Sequence, residues 1–336
     1  MMMVALAILA HTVLAALGIL HVVANERGAS ACVRWSALCV LIPLLGLLLY
    51  VLFGVRRMSP GRRDSHEPDK QSSYYGAMAL SPAMRNREAL VRLVDSIVRT
   101  PLCGGNLIVP LVNGAGAYPE MIRAIESAQH SVTLSTYQFD YDDLGLRFCE
   151  SLCSVANRGI QVRVLVDFLG VSLHRSSPIV HRLRRGGVHA RHFNPPSSIE
   201  GIRYFNFRYH RKLLVVDGSV GFTGGMNIRA AHLVDRNFRR VNRDVHYRVE
   251  GPIVAQLQNV FAVDWFFSAA EKLSGPIWFP ELIERGTSIV RGVPSGPDLA
   301  ARSNYELLLG VISCACVSIH IATPYFCPTN PSFRRS

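Results

Sequence analysis

The chain has 336 residues, of which 49% are hydrophobic and 18% are charged. This balance excludes intrinsic disorder for most of the chain, because disordered segments are poor in apolar residues and rich in charge. The formal net charge of +12 favours anionic partners such as phosphates, nucleic acid or acidic lipids. The eight cysteines form no CxxC pair and no zinc-ligand spacing, so free thiols are predicted and a metal site is not.

Two apolar stretches near the start, Met1–Val23 and Trp35–Val55, contain no Asp, Glu, Lys or Arg. Each exceeds the roughly 20 residues that a helix needs to cross a bilayer. The alternatives are a cleavable signal peptide for the first stretch and a buried core helix for the second. The first lacks a basic start, and the second has no polar face, so we predict two transmembrane helices within residues 1–57.

Flanking charges predict the orientation of these helices. The connector has few basic residues, whereas four arginines follow the second stretch: Arg56, Arg57, Arg62 and Arg63. Because basic residues concentrate on the cytoplasmic side, the long remainder of the chain is predicted to be cytoplasmic. Residues 58–104 are predicted to form a juxtamembrane linker and a helix.

After Leu107, helical and strand patterns alternate, which is typical of an α/β domain. The predicted elements are a helix over 117–129, a strand over 130–139, a helix over about 144–157 and a strand over 160–170. Asp142 and Asp143 are good residues for the start of the second helix. Residues 105–285 are therefore assigned to one α/β domain.

The end of the chain repeats this pattern. Residues 305–326 align without gaps with residues 118–139, and six of the 22 positions are identical. Two unrelated helix–strand units could match this well by chance, but a match across both elements favours a duplicated domain. Residues 300–336 are therefore predicted to be the start of a second copy.

The stretch from His210 to Asn227 carries the pattern H-x-K-x4-D-x6-G-G-x-N. On a strand, His210 and Lys212 project from the same face, so an imidazole lies beside an ammonium. Apolar runs flank Asp217-Gly218, and this arrangement is a strong hairpin signal. A role in the turn is therefore the alternative to a chemical role for Asp217.

Three further residues complete this pattern. Gly224 and Gly225 allow close approach of the backbone, and Asn227 can donate an amide hydrogen bond to an anionic oxygen. The set suits covalent attack on a phosphate, with histidine as nucleophile and the others stabilising charge on oxygen. A lone histidine on a strand is usually structural, but six residues at fixed spacings argue against coincidence.

This stretch resembles the phospholipase D superfamily and, within it, the bacterial cardiolipin synthases. The resemblance extends to "RGIQVRVLVDFLG", "RDVHYRVEGPIVAQLQNVFAVDW" and "IATPYFCP", and to the paired apolar stretches. It implies that His210 forms a phosphohistidine or is its acid–base partner, and that Lys212 and Asn227 hold phosphate oxygens. Asp217 belongs to the motif with a structural or supporting role.

Asp244, in "RDVHYR", matches the acidic residue that hydrogen-bonds the catalytic histidine and fixes its tautomer, with an ordinary surface aspartate as the alternative. The implied fold is an N-terminal transmembrane helical hairpin, a phospholipase D-like α/β sandwich and the start of its duplicate. The implied location is the bacterial inner membrane.

The resemblance implies a phosphatidyltransferase that joins two phosphatidylglycerols into cardiolipin and releases glycerol, without metal or other cofactor. Phosphatidylglycerol and other anionic phospholipids are the implied partners, and nucleic acid is not. Two alternatives stay open: another phospholipase D-type phosphodiesterase, such as a phospholipase, and an inactive membrane fragment that binds anionic lipid.

Family active sites combine two such motifs, whereas this chain contains one. The offset of the repeat puts a second histidine near position 397, beyond Ser336. We therefore expect an incomplete cardiolipin synthase. A homodimer that pairs two identical half-sites is the alternative.

The charge pattern makes a testable prediction about topology. Protease added to intact cells should leave the region after Arg63 uncut, because that region is predicted to be cytoplasmic. The same protease should cut this region once the cells are permeabilised, and cleavage in intact cells would reverse the topology.

Overall fold

The computed structural model describes residues 2–25, 29–54, 88–98, 100–172, 177–195, 208–233, 243–294, 301–315 and 317–323. Within them, one eight-stranded sheet has the order β4-β3-β2-β5-β6-β7-β1-β8. Its strands are β1 (Cys103–Val112), β2 (Ser131–Thr136), β3 (Gln161–Asp167), β4 (His189–Phe193), β5 (Leu213–Val216), β6 (Val220–Gly224), β7 (Val245–Glu250) and β8 (Ser288–Val290).

Strands β2, β3 and β4 are parallel neighbours, and every other pair in the sheet is antiparallel. The described helices, in chain order, are α1 (Met2–Asn25), α2 (Ala29–Leu41), α3 (Pro43–Leu49), α4 (Glu88–Ile97), α5 (Asn113–Glu126), α6 (Asp143–Asn157), α7 (Phe168–Ser172), α8 (Ser177–Arg185), α9 (Ile253–Ala269) and α10 (Ala301–Cys314). A π-helical turn at Tyr50–Gly54 and a 3₁₀ turn at Ala230–His232 complete the helical elements.

The core consists of two apolar layers, one on each face of the sheet. Helices α5, α6 and α8 cover one face, where Phe148 and Leu152 pack against strand residues such as Val164. Helix α9 covers the other face with Phe261 and Trp265. The α/β class predicted from the alternating pattern is therefore confirmed, with a sheet between two helical layers.

Local signals in the sequence act as predicted within this domain. The Asp142 side chain accepts a hydrogen bond from the Gly145 backbone N–H at 2.8 Å and so caps α6. The hairpin between β5 and β6 turns at Asp217 and Gly218, which both have positive φ angles.

The first apolar stretch forms a helix long and apolar enough to cross a membrane, over Met2–Ala24 with a mean hydropathy of 2.4. The second stretch is not one continuous helix. Helix α2 ends at Leu41 and α3 begins at Pro43, because proline cannot donate the backbone hydrogen bond that a helix interior needs. The chain then folds back, so that the Trp35 and Tyr50 rings lie 5.6 Å apart. The second transmembrane span and the hairpin stay predictions.

The predicted juxtamembrane linker largely lies outside the described residues, whereas its predicted helix corresponds to α4. Near the other end, α10 packs on α4, where Gly310 contacts Leu93. Residues 317–323 form no strand in the structure, although the repeat predicts one there. The helix of the proposed second copy is therefore present, and the duplication itself stays a prediction.

Candidate active site

One edge of the sheet brings together most of the predicted site residues. The carboxyl ends of β2, β3 and β6 lie at this edge, together with the starts of β5 and β7, because β5 and β7 run antiparallel to their neighbours. His210 and Lys212 precede β5, Gly225 and Asn227 follow β6, and Asp244 precedes β7. Ligands of open α/β sheets bind at such carboxyl ends.

Lys212 is buried, with 6% of its surface exposed, although it carries an ammonium group. Its Nζ donates to the His210 carbonyl oxygen at 2.8 Å and lies 5.9 Å from the centroid of the Tyr137 ring. Burial lowers the pKa of Lys212 to about 8, and Asp244 and Asp167 oppose this change. The ammonium is therefore charged at neutral pH and loses its proton under mildly alkaline conditions.

His210 is exposed, and its ring stacks at a tilt against Tyr137 with 5.3 Å between the centroids. Partial desolvation, followed by the neighbouring Lys212 ammonium, lowers the pKa of the imidazole below its ordinary value. A neutral imidazole with an accessible ring nitrogen is the form that attacks phosphorus. The structure places Lys212 beside His210, as the spacing predicts, and the roles of nucleophile and cation stay predictions.

Asn227 follows β6 and is held by the end of β2. Its Oδ1 accepts from the Gln138 backbone N–H at 3.2 Å, and its Nδ2 donates to Gln138 Oε1 at the same distance. The Asn227 carbonyl accepts from the Tyr118 hydroxyl at 2.7 Å. One amide hydrogen of Nδ2 is left over from these contacts, so the predicted phosphate contact of Asn227 stays a prediction.

Gly224 and Gly225 lie in close contact with two neighbouring side chains of the site. A Cβ on Gly224 would lie 2.6 Å from His246 Nδ1, and a Cβ on Gly225 would lie 2.5 Å from both carboxylate oxygens of Asp244. Gly224 also has a φ angle of 159°, which favours glycine. These glycines make room for two neighbouring side chains of the site, and contact with substrate stays a prediction for both.

Asp244 lies at this edge of the sheet, but its carboxylate does not accept a hydrogen bond from His210. Its carboxylate accepts from the Val245 backbone N–H at 2.7 Å and lies against Gly225. Its electrostatic effect acts on Lys212, whose pKa it raises. Because its carboxylate is turned toward the glycines, the structure does not form the hydrogen bond to His210 that the resemblance implies.

Asp217 lies at the opposite edge of the sheet, five residues along the chain from Lys212, which is about 16 Å of extended strand. Its carboxylate accepts hydrogen bonds from the backbone N–H groups of Gln129, His130 and Ser131. The structure thus places Asp217 at the hairpin turn, where its carboxylate binds backbone N–H groups, and its membership of the catalytic set stays a prediction.

Other site residues carry signals that the motif does not contain. Tyr137 and Gln138 follow β2 in "STYQF", and Asp167 ends β3 in "LVDFLG". His246 and His232 are buried beside Lys212, and burial lowers the pKa of His246 to about 4. A polar residue at the end of a buried strand, or directly after it, is the signal that could have found Tyr137, Gln138 and Asp167.

Comparison with known proteins agrees with this arrangement. A family model described as "Cardiolipin synthase, PLD-like domain" matches residues 121–265. Cardiolipin synthase of Geobacillus kaustophilus is 30% identical over 314 residues, which cover 90% of this chain and 62% of the relative. Cardiolipin synthase A of Pseudomonas aeruginosa is 32% identical over 324 residues, which cover 92% and 64%. The chain thus spans less than two thirds of the length of these relatives.

Two solved structures are similar at lower levels. Nuc from Salmonella typhimurium, a phospholipase D family member, gives a TM-score of 0.39 with 17% identity, covering 48% of this chain and 96% of Nuc. Phosphatidylserine synthase of Haemophilus influenzae gives a TM-score of 0.37 with 16% identity, covering 50% of this chain and 39% of the synthase.

The match over residues 121–265 identifies a PLD-like domain, and the His-X-Lys pair lies within it at the edge of the mixed α/β sheet. Over about nine tenths of its length, the chain is similar to curated cardiolipin synthases such as the two named above.

The position of Asp217 gives a testable prediction. Asp217→Ala should lower the free energy of unfolding by about 1–3 kcal/mol, because three backbone N–H groups lose their acceptor. Denaturant unfolding measures this loss. The pH at which Lys212 titrates should stay unchanged in the folded variant, and a shifted titration would contradict the structural assignment.

Proposed function

We propose that this chain carries the phosphatidyl-accepting half-site of a membrane-anchored phosphatidyltransferase that forms cardiolipin from two phosphatidylglycerols. The observation that carries the proposal is the buried Lys212 ammonium beside the exposed His210 imidazole. The ammonium supplies a fixed positive charge for phosphate oxygens, and the imidazole supplies the nucleophile. The curated relatives named as cardiolipin synthases support cardiolipin as the product, and the family resemblance implies phosphatidylglycerol as the substrate.

In the first step, a ring nitrogen of neutral His210 attacks the phosphorus of one phosphatidylglycerol. A bond forms between nitrogen and phosphorus, and the bond from phosphorus to the glycerol headgroup oxygen breaks. The free glycerol takes a proton as it leaves, and a phosphatidyl-histidine remains. Lys212 stabilises the charge that develops on the phosphoryl oxygens, with Asn227 as the second proposed donor.

In the second step, the headgroup hydroxyl of another phosphatidylglycerol attacks the phosphorus of this intermediate. The new phosphorus–oxygen bond produces cardiolipin, the bond to His210 breaks, and the hydroxyl proton goes to a base. We propose that a second imidazole, from a second site of the same type, is the acid in the first step and the base here. Attack by water in place of the second lipid would give phosphatidic acid, which is the phospholipase alternative.

Membrane anchoring is proposed from the apolar helix over Met2–Ala24. With the predicted second span, it supports the proposed multi-pass protein of a bacterial inner membrane with the catalytic domain in the cytoplasm. A helix of this length holds the domain next to the bilayer, where its lipid substrates are concentrated.

The two shifted pKa values predict how capture of the phosphatidyl group depends on pH. The rate should rise as His210 loses its proton and fall as Lys212, with a pKa of about 8, loses its charge. Lys212→Arg should lower the rate and abolish the alkaline fall, because guanidinium stays protonated but is not an equivalent donor. Radiolabel retained on His210 at a series of pH values measures both effects, and full rate in this variant would contradict the role of Lys212.

The single motif predicts that this chain alone forms little or no cardiolipin. Acid–base assistance contributes about 10²–10⁴-fold to such a rate, and the second imidazole is needed for departure and for acceptance. The assay incubates the purified chain in detergent with labelled phosphatidylglycerol and no added metal, with His210→Asn as control. A slow trace of labelled His210 is compatible with the proposal.

Robust cardiolipin synthesis that His210→Asn abolishes would instead support the homodimer alternative. Mixing the His210→Asn chain with unmutated chain then shows whether two copies share one site. Conversion of phosphatidylglycerol mainly to phosphatidic acid would favour the phospholipase alternative.

A further inference from the structure

The segment that carries His210 and Lys212 lies outside the hydrogen-bonded ladder of the sheet. Pairing between β2 and β5 ends at Ser135 and Leu213, and residues 208–212 directly precede β5. Side-chain contacts with β3 and α9 help to fix the position of this segment. Position matters here, because a displacement of about 1 Å at a reacting group can cost roughly 10²-fold in rate.

Asp167, the last residue of β3, provides one of these contacts. Its side chain is fully buried, and its Oδ2 accepts from the Tyr209 backbone N–H at 2.7 Å. Its Oδ1 accepts from the backbone N–H groups of Leu169 and Gly170 at 2.9 and 3.2 Å. The Arg208 guanidinium lies 3.4 Å from Oδ1. One carboxylate thus links the end of β3 to the residue directly before His210.

The side chains of Tyr209 and Arg211, on either side of His210, are held on the face of the segment that is opposite to His210 and Lys212. The Tyr209 hydroxyl donates to Ser135 Oγ at 2.9 Å, and Arg211 forms an ion pair with the buried Asp264 of α9. Because side chains alternate along an extended chain, holding residues 209 and 211 in this way directs His210 and Lys212 toward the site.

Asp167 also affects the pKa of the Lys212 ammonium. Together with Asp244, it raises the pKa of the Lys212 ammonium against the effect of burial. The other groups that face Lys212 are Tyr137 after β2, the His210 carbonyl before β5, His246 on β7 and His232 in the 3₁₀ turn. Both histidines have lowered pKa values, so they add no negative charge beside Lys212. Burial raises the pKa of Asp167 itself, and the Arg208 guanidinium and three backbone N–H groups oppose that rise and favour the carboxylate.

We infer that Asp167 is a positioning residue for phosphatidyl capture: its carboxylate fixes the backbone before His210 and supplies negative charge to Lys212. Asp167 touches neither reacting atom and acts through these two residues. The inference rests on the proposed function for its catalytic consequence, whereas its effect on Lys212 is independent of any reaction.

The first measurement requires no substrate. The chain has three lysines, Lys70, Lys212 and Lys272, so isotope-labelled lysine gives three side-chain NMR signals that Lys70→Arg and Lys272→Arg assign. Asp167→Asn should lower the titration midpoint of Lys212 by about 0.5–1 pH unit. Asp264→Asn is the matched control, because it neutralises another fully buried carboxylate that holds the same segment. It should leave the midpoint unchanged.

The second measurement is capture of labelled phosphatidylglycerol on His210. Asp167→Asn should reduce the rate about 10- to 100-fold. Asp167→Glu keeps the charge but displaces the carboxylate, so it should restore the Lys212 midpoint without restoring the rate. An unshifted midpoint in Asp167→Asn, or a parental rate in Asp167→Glu, would overturn the inference. If Asp167→Asn does not fold, the capture rate of Asp167→Glu decides the test. Absence of capture by the parent chain would refute the proposed function. The NMR midpoint would still decide whether Asp167 acts on Lys212.

Discussion

The buried ammonium of Lys212 is the constraint on which the candidate site depends. A cation removed from water is expensive unless it is hydrogen-bonded and compensated by nearby charge. The compensation comes from several parts of the chain: the carbonyl of His210, the ring of Tyr137, and the carboxylates of Asp167 and Asp244. The ends of β2 and β3, the start of β5 and the segment before β7 therefore converge at one edge of the sheet.

The same motif also serves the opposite edge. Strand β5 has four residues, so a pattern that begins at His210 reaches the far side of the sheet at Asp217. There the carboxylate holds the backbone that leads into β2, the strand beside β5. One short motif thus contributes His210 and Lys212 to the candidate site at one edge and strand alignment at the other.

Several features follow directly from local sequence. The hairpin at Asp217-Gly218, the cap at Asp142 and the pairing of His210 with Lys212 depend on neighbours in the chain, and the sequence predicts them. The roles of Gly224 and Gly225 depend on side chains of a strand that follows about 20 residues later, so local pattern could not reveal them. The contact between Asp167 and Tyr209 spans 42 positions and is set by the crossing of the chain over the sheet.

The fold-back at Pro43 was missed for a different reason. The prediction of a span used only the length and apolarity of the stretch, which determine whether a helix fits a bilayer. It took no account of Pro43, which lacks a backbone N–H donor. A proline in the middle of a long apolar segment marks a place where the helix can divide.

The strand order has a consequence for synthesis of the chain. Strand β1 lies between β7 and β8, and the contact between Asn113 and Asp244 at its end joins residues 131 positions apart. Ribosomes add about 5–20 residues per second, so β1 leaves the ribosome roughly 7–26 seconds before β7 can pair with it. Strands β2, β3 and β4 are parallel neighbours in chain order and can assemble during that interval. The nascent domain thus passes through a stage in which β1 is an unpaired strand, open to pairing with other chains.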